Sequence, residues 1–279
     1  MCRWMAYTGG SIRLHDLLFE PKDNLIDQSL SSRSELTPTN GDGFGVGWYD
    51  QQARPGLFHS IRPAWNDFNL RDLADHIESP LFMAHVRATS LATIQETNCH
   101  PFRYKNWLFV HNGEIDQVQK FRKELLLAVT DEYFENILGS TDSELMFHLA
   151  LTFGLEKDPP LAVARMTGFV EDVAKKHGVA ESVWMTLGIS DGKTLWGFRY
   201  GSDGDGPSLY YSPDVEELIR LNPLVKGRYE SHARCLVSEP IGKFKELWKE
   251  IPQSSTVIIQ DGHVAIKPFS PKNASGLPS

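Results

Sequence analysis

A chain of 279 residues, 41% hydrophobic and 23% charged, carries enough apolar material to bury one substantial core. Its net charge of −8, with no cluster of Lys and Arg, excludes a partner held through phosphates, so no nucleic-acid partner is expected. The longest apolar runs, Leu125 to Val129 and Thr256 to Ile259, fall far short of the roughly 20 residues of a membrane span, and the start of the chain is no signal peptide. A cytoplasmic protein without a membrane partner is the expectation. Cys2, Cys99 and Cys235 are odd in number and form no C-x-x-C pair, which suits free thiols in a reducing compartment. Ten histidines make no cluster at metal spacing, so neither a metal nor another cofactor is expected.

The chain opens Met1-Cys2-Arg3-Trp4. If Met1 is removed, which the small side chain of Cys2 permits, the new first residue carries a thiol and a free α-amine. Such an amine has a pKa of about 7.7 to 8.0, so near neutral pH part of it is free to accept the thiol proton. Cys2 to Tyr7 predicts a strand that would anchor this terminus, and Ser11 to Phe19 a short helix on Ile12, Leu14, Leu17 and Leu18. Glu20 to Asn40 reads as a loop long enough to need a functional reason.

Gly41-Asp42-Gly43-Phe44-Gly45-Val46-Gly47-Trp48-Tyr49 follows, with Val46 where a dinucleotide fingerprint needs glycine and no Lys-Ser/Thr for a P-loop. Bulky Phe44, Val46 and Trp48 alternate with glycines, which predicts a strand whose bare face lets something approach the backbone. Leu57 to Ile61 predicts its partner strand, Asn69 to Ile77 a helix, and Leu81 to Arg87 a buried strand ending in a charge. Trp107 to Ile115 is another buried strand containing Asn112-Gly113, a pair that by itself usually marks a turn. Helices are expected over Asp116 to Val129, from Ser140 to about Phe153 with a Thr141/Glu144 capping box, and from Pro159 to about His177. Strands are expected at Val183 to Ser190, Thr194 to Tyr200, Leu209 to Ser212, Ala233 to Ser238, Ser255 to Gln260 and His263 to Pro268. One domain over residues 2–268 is expected, followed by a disordered Pro/Ser/Gly-rich tail over 269–279.

Cys2, Asp42 to Tyr49, His85-Val86-Arg87-Ala88-Thr89, Asn98-Cys99-His100-Pro101-Phe102, His111-Asn112-Gly113-Glu114-Ile115 and Ser140-Thr141-Asp142-Ser143-Glu144 together resemble the class II glutamine amidotransferases, which are N-terminal nucleophile hydrolases. The match covers residues 2 to about 145 and extends weakly to Ser238-Glu239-Pro240. The resemblance implies an α+β fold, a four-layer αββα sandwich with Cys2 at the end of a central strand. It implies that Cys2 attacks the side-chain amide of glutamine, that Asn112 and Gly113 form the oxyanion hole, and that Arg87 and Asp142 bind the substrate's α-carboxylate and α-ammonium. His100 is expected near the site. The family's substrate-binding threonine stands three positions after the arginine, where this chain has Ser90. Thr89-Ser90 reads as an inversion, with Ser90 supplying the hydroxyl.

The chain ends soon after its last predicted strands, so a stand-alone amidohydrolase is expected, with ammonia released or passed to a separate acceptor protein. The substrate would be small, either glutamine or a γ-glutamyl amide of the kind cleaved in ergothioneine synthesis or glutathione breakdown. The Glu20 to Asn40 loop and the Trp65 region are expected to face the leaving group. Two other readings are a non-catalytic subunit that keeps the fold, and an N-terminal cysteine hydrolase of the penicillin or bile-salt type. A subunit without activity has no chemical reason to keep Cys2, Arg87, Asn112, Gly113 and Asp142, and the second type needs no clamp for an amino acid.

Overall fold

The computed structural model describes residues 2–31, 39–88 and 93–273. Strand β1 (Arg3–Arg13) is followed by helices α1 (His15–Leu18) and α2 (Leu25–Ser29), the hairpin β2 (Phe44–Trp48) and β3 (Gly56–Ser60), helix α3 (Phe68–His76) and β4 (Glu78–Val86). Then come β5 (Phe102–Tyr104), β6 (Trp107–Ile115), and helices α4 (Arg122–Leu127), α5 (Asp131–Phe134), α6 (Asp142–Thr152) and α7 (Pro159–Lys176). The remainder is β7 (Val183–Ser190), β8 (Leu195–Gly201), β9 (Tyr210–Tyr211), α8 (Val215–Leu221), β10 (Arg234–Val237), β11 (Lys249–Glu250), β12 (Ser255–Gln260) and β13 (His263–Pro268).

The strands form a seven-stranded sheet, β11-β9-β10-β1-β4-β2-β3, and a six-stranded sheet, β13-β12-β8-β7-β6-β5. Alternation along each strand sorts side chains into three apolar layers. Trp4 and Ala6 of β1 meet Leu108 and Val110 of β6 between the sheets. Met5 and Tyr7 face the other way, beneath Leu17 of α1, Ile26 of α2 and Leu70 of α3. Phe109 and Ile115 of β6 turn outward under Leu145 and Leu149 of α6 and Val163 and Val170 of α7. Both faces of each central strand are therefore buried, which is why β1, β4 and β6 read as continuous apolar runs. The layers run helix, sheet, sheet, helix, as the αββα expectation requires.

Several boundaries depart from the sequence reading. The helix expected over Ser11–Phe19 is strand as far as Arg13, because Ile12 and Arg13 pair with Ser79 and Glu78 of β4; only His15–Leu18 is helical. The loop from Glu20 holds α2, whose cap is Asn24, its Oδ1 accepting the Asp27 N–H at 2.9 Å. Residues 32–38 of that loop lie outside the described residues. The helix expected over Asp116–Val129 is broken: Gln117 sits at φ 49°, a 3₁₀ turn covers Val118–Lys120, and α4 begins at Arg122. Asn112-Gly113 makes no turn, and β6 runs through it to Ile115. The tail is placed as far as residue 273, with Phe269 buried and the Lys272 N–H donating to Ala164 O at 2.8 Å; residues 274–279 lie outside the described residues.

Candidate active site

Cys2 stands at the entrance to β1, and β1 is gripped on both sides. Arg3 pairs with Val86 and Trp4 with His85 on β4, while the Trp4 N–H donates to Ser238 Oγ at 3.0 Å and the Ser238 N–H to Trp4 O at 3.0 Å. This pairing brings the thiol to the backbone just past Arg87. Cys2 Sγ donates to Ala88 O at 3.3 Å and accepts from the Ala88 N–H at 3.4 Å. Burial pushes the thiol pKa up; the Ala88 hydrogen bond and the Arg87 charge oppose that shift more weakly, and Asp142 reinforces it. Both Arg87 and Asp142 thus lie within electrostatic reach of the sulfur. A thiol in such surroundings needs a base to become a nucleophile.

Arg87 is 3% exposed, and the hydrogen bond of its guanidinium among the described residues is from Nη1 to Asp42 O at 3.4 Å. Its backbone is sewn to the glycine-rich stretch through Arg87 N to Gly43 O at 2.8 Å and Asp42 N to Arg87 O at 3.1 Å. The bare face of β2 meets the loop after Arg87: a Cβ on Gly45 would lie 2.2 Å from His100 O. That close approach is the reason for alternating glycines where a nucleotide fingerprint is absent.

Asn112 and Gly113 lie near the end of β6 in the facing sheet. Asn112 is buried and its Oδ1 has no hydrogen-bond partner among the described residues, which leaves that end of the side-chain amide uncommitted. Gly113 adopts φ 140°, and a Cβ there would sit 1.9 Å from Trp184 O, so only glycine fits. Asp142 is the first residue of α6. Its Oδ2 accepts the Ile115 N–H at 2.8 Å and its Oδ1 the Ser143 N–H at 2.8 Å, which docks the helix start onto the end of β6. Thr141 caps α6 by accepting the Glu144 N–H at 3.1 Å, as expected. The Glu144 carboxylate does not close the capping box. It accepts the Leu138 and Gly139 N–H groups at 2.9 and 2.7 Å and so shapes the loop before the helix.

His100 is buried and lies against His85 with ring centroids 4.2 Å apart and the planes tilted by 31°. Thr89 and Ser90 lie outside the described residues. Four side chains to which sequence reasoning gave no role hold this arrangement together. Asn98 accepts the Ser140 N–H at 2.8 Å and donates to Ser140 Oγ at 3.1 Å and Thr93 O at 2.8 Å. His111 Nδ1 lies 2.8 Å from Ser143 Oγ, which ties β6 to α6. Thr186 lies under Trp4. Asn98 and His111 were visible inside the motif stretches; Ser143 looks like an ordinary first-turn residue, and Thr186 like one more position of a strand.

Cavities of 470, 590 and 630 Å³ among the described residues are not lined by Cys2, Arg87, Asn112 or Asp142. Ala88, which holds the thiol, leads directly into residues 89–92, outside the described residues.

The family profile described as "Glutamine amidotransferases class-II" matches residues 25–276. The probable glutamine amidotransferase DUG3 of Saccharomyces cerevisiae is 33% identical, across 96% of this chain and 84% of that one. The gamma-glutamyl-hercynylcysteine sulfoxide hydrolase of Mycolicibacterium smegmatis is 26% identical, across 96% of this chain and all of that one (100%). Among solved structures, a glutamine aminotransferase class-II domain protein from Silicibacter pomeroyi superposes with a TM-score of 0.73 at 34% identity, covering 97% of this chain and 100% of that one.

Proposed function

The chain belongs to the class-II glutamine amidotransferases, and on that premise we propose that it hydrolyses a γ-glutamyl amide through a thioester on Cys2. The observation that carries this reading is the seating of the Cys2 sulfur on the Ala88 backbone, one residue past Arg87 and within reach of the Asp142 charge. Loss of Met1 frees the α-amine of Cys2, which takes the thiol proton and supplies the base that a buried thiol lacks.

Arg87 offers its planar fork to the α-carboxylate of the glutamyl group, and Asp142 its remaining lone pairs to the α-ammonium. Sγ attacks the γ-carbonyl carbon, and the oxygen that becomes negative is met by the Asn112 side-chain amide and the Gly113 N–H. One such donor is worth about 2.7 to 4 kcal/mol in other enzymes. Collapse breaks the C–N bond; the leaving nitrogen takes the proton held on the Cys2 amine and departs as ammonia or a free amine. Water, deprotonated by the same amine, then attacks the γ-glutamyl thioester, releasing glutamate and restoring the thiol. His100 supports the loop between Arg87 and β5, and Ser90, with Thr89 beside it, supplies a hydroxyl to the substrate.

Glutamine and larger γ-glutamyl conjugates present the same head group to Arg87 and Asp142, so the leaving-group side decides between them. The relative from Mycolicibacterium smegmatis, named for a γ-glutamyl conjugate, supports including conjugates. The product ammonia is released or taken by a separate acceptor protein. The test is Cys2→Ala in a fully processed chain, assayed on glutamine, γ-glutamyl-cysteinyl-glycine and other γ-glutamyl amides. The variant keeps the circular dichroism and thermal midpoint of the parent and loses all turnover. Release of ammonia or amine at the parent rate would show that the mechanism is wrong.

A further inference from the structure

The nucleophile and the oxyanion donors belong to different sheets, and β1 and β6 meet between those sheets through side chains. The contacts there, Trp4 and Ala6 against Leu108 and Val110, are apolar. Apolar contact fixes how far apart two layers stand but has no direction, so it sets their lateral alignment weakly. Elsewhere between the sheets Tyr49 Oη donates to Ser190 O at 2.8 Å and Arg199 Nη1 to Ile251 O at 2.6 Å; at the catalytic end, among the described residues, a hydrogen-bonded path runs through Trp4. Trp4 Nε1–H donates to Thr186 Oγ1 at 3.3 Å, and the Thr186 hydroxyl donates to Asn112 O at 3.4 Å. Thr186 has no exposure to solvent and lies directly across the ladder from Asn112. A hydroxyl donates one bond and can accept two, so accepting from Trp4 and donating to Asn112 is a consistent direction along the path.

The other end of the path is equally fixed. The Trp4 backbone is held by Ser238 and paired with His85. Its ring lies over Gly188, where a Cβ would come within 2.8 Å of Cζ3. Cys2, two residues before Trp4, therefore inherits its position relative to Asn112 through Thr186.

We propose that Thr186 is a positioning residue that sets where the Cys2 sulfur stands relative to the Asn112 and Gly113 donors. This rests on the reading of Cys2 as the nucleophile. Among the described residues Thr186 hydrogen-bonds to Trp4 and Asn112 and not to Arg87 or Asp142, so its effect is expected on the transition state and not on binding. Misplacement by about 1 Å can cost roughly a hundredfold in rate. The same displacement leaves ground-state affinity nearly untouched.

The experiment compares Thr186→Val, which keeps the shape and removes the hydroxyl, with Thr186→Ser, which restores it, and with Trp4→Phe, which removes the indole donor together with part of a fully buried ring. Glutamine hydrolysis is followed by ammonia release, or hydrolysis of whichever γ-glutamyl amide the parent turns over. Thr186→Val and Trp4→Phe are expected to lower kcat by about tenfold to a hundredfold with KM within about twofold, and Thr186→Ser to stay within about threefold of the parent. A lowered thermal midpoint with parent kcat in both variants overturns the proposal, because that is the signature of a merely structural bond. If Thr186→Val does not fold, Thr186→Ala against the Thr186→Ser rescue decides, read by the same split of kcat from KM. Turnover by Cys2→Ala removes the reading of the nucleophile itself, whereas an inactive Cys2→Ala beside parent kcat in Thr186→Val and Trp4→Phe removes only the role of Thr186.

Discussion

Neither ring nitrogen of His85 or His100 has a hydrogen-bond partner among the described residues, and both side chains are buried. Burial, helped by the nearby Arg87 charge, pushes His85 down to about 3; burial, helped by His85 and His111, holds His100 well below its ordinary value. Both rings are therefore neutral beside the proposed carboxylate-binding arginine. An unfolded histidine takes up a proton near pH 6.5, while these two refuse it in the folded chain. Their stabilisation is thus complete above about pH 6.5 and is lost as the pH falls, at about 1.4 kcal/mol per unit for each ring. Urea unfolding at pH 7.5 and pH 5.5 should show that loss, and His85→Gln should remove one ring's share of it, since burial also lowers His59, His111 and His148; equal stability of the parent at the two values would contradict the neutral rings. Cys2 yields a prediction of the same scale. A chain that keeps Met1 or carries an N-terminal tag has an amide where the base should be, and intact-mass fractions retaining it should release no ammonia from any γ-glutamyl amide.

At the scale of elements, the proposed carboxylate and ammonium arms, Arg87 and Asp142, come from distant parts of the chain, and Asn98 joins the segments that carry them. Its side chain binds Ser140 two residues before Asp142 and Thr93 in the loop that follows Arg87. Asn98→Ala leaves the Ser140 N–H without its acceptor and releases the two arms from each other. In the proposed mechanism both arms hold the glutamyl head group equally in the ground and transition states, so KM should rise, by about tenfold, with kcat within about threefold; steady-state kinetics on glutamine or the preferred γ-glutamyl amide checks this. A fall in kcat at unchanged KM would place Asn98 elsewhere in the mechanism. Asn98 was legible only as part of a motif, since its partner Ser140 lies 42 residues away. The strands were legible for a local reason: burial on both faces leaves an apolar run in the sequence wherever a central strand falls. Helix boundaries were not, because Ile12 follows the strand partner offered by Ser79 and not its own helical spacing. The conformation of Gly113 was hidden for the same reason, being set by Trp184 O on the neighbouring strand.

For the molecule as a whole, the order of strands and helices pointed to two sheets between helices, and the three apolar layers follow from alternation along β1 and β6. Composition describes residues 269–279 as one polar, Pro-containing tail, while the aromatic at its start has a socket. Phe269 is 6% exposed and meets Phe198 at 5.7 Å and Tyr200 at 5.5 Å in edge-to-face geometry, both on the outer face of β8. The Phe269 N–H donates to Ser254 O at 2.7 Å, and the Lys272 N–H to Ala164 O on α7 at 2.8 Å. This short segment thus bridges the second sheet and the helical layer outside it, the layer that also carries Asp142. Removing a buried phenylalanine side chain costs about 3 kcal/mol or more. Phe269→Ala and a chain ending at Pro268 should therefore unfold at clearly lower urea concentration than the parent, the truncation at least as early as the point variant because it also loses the Lys272 bond. If the truncated chain unfolds where the parent does, the segment contributes nothing to stability and the packed unit ends at β13.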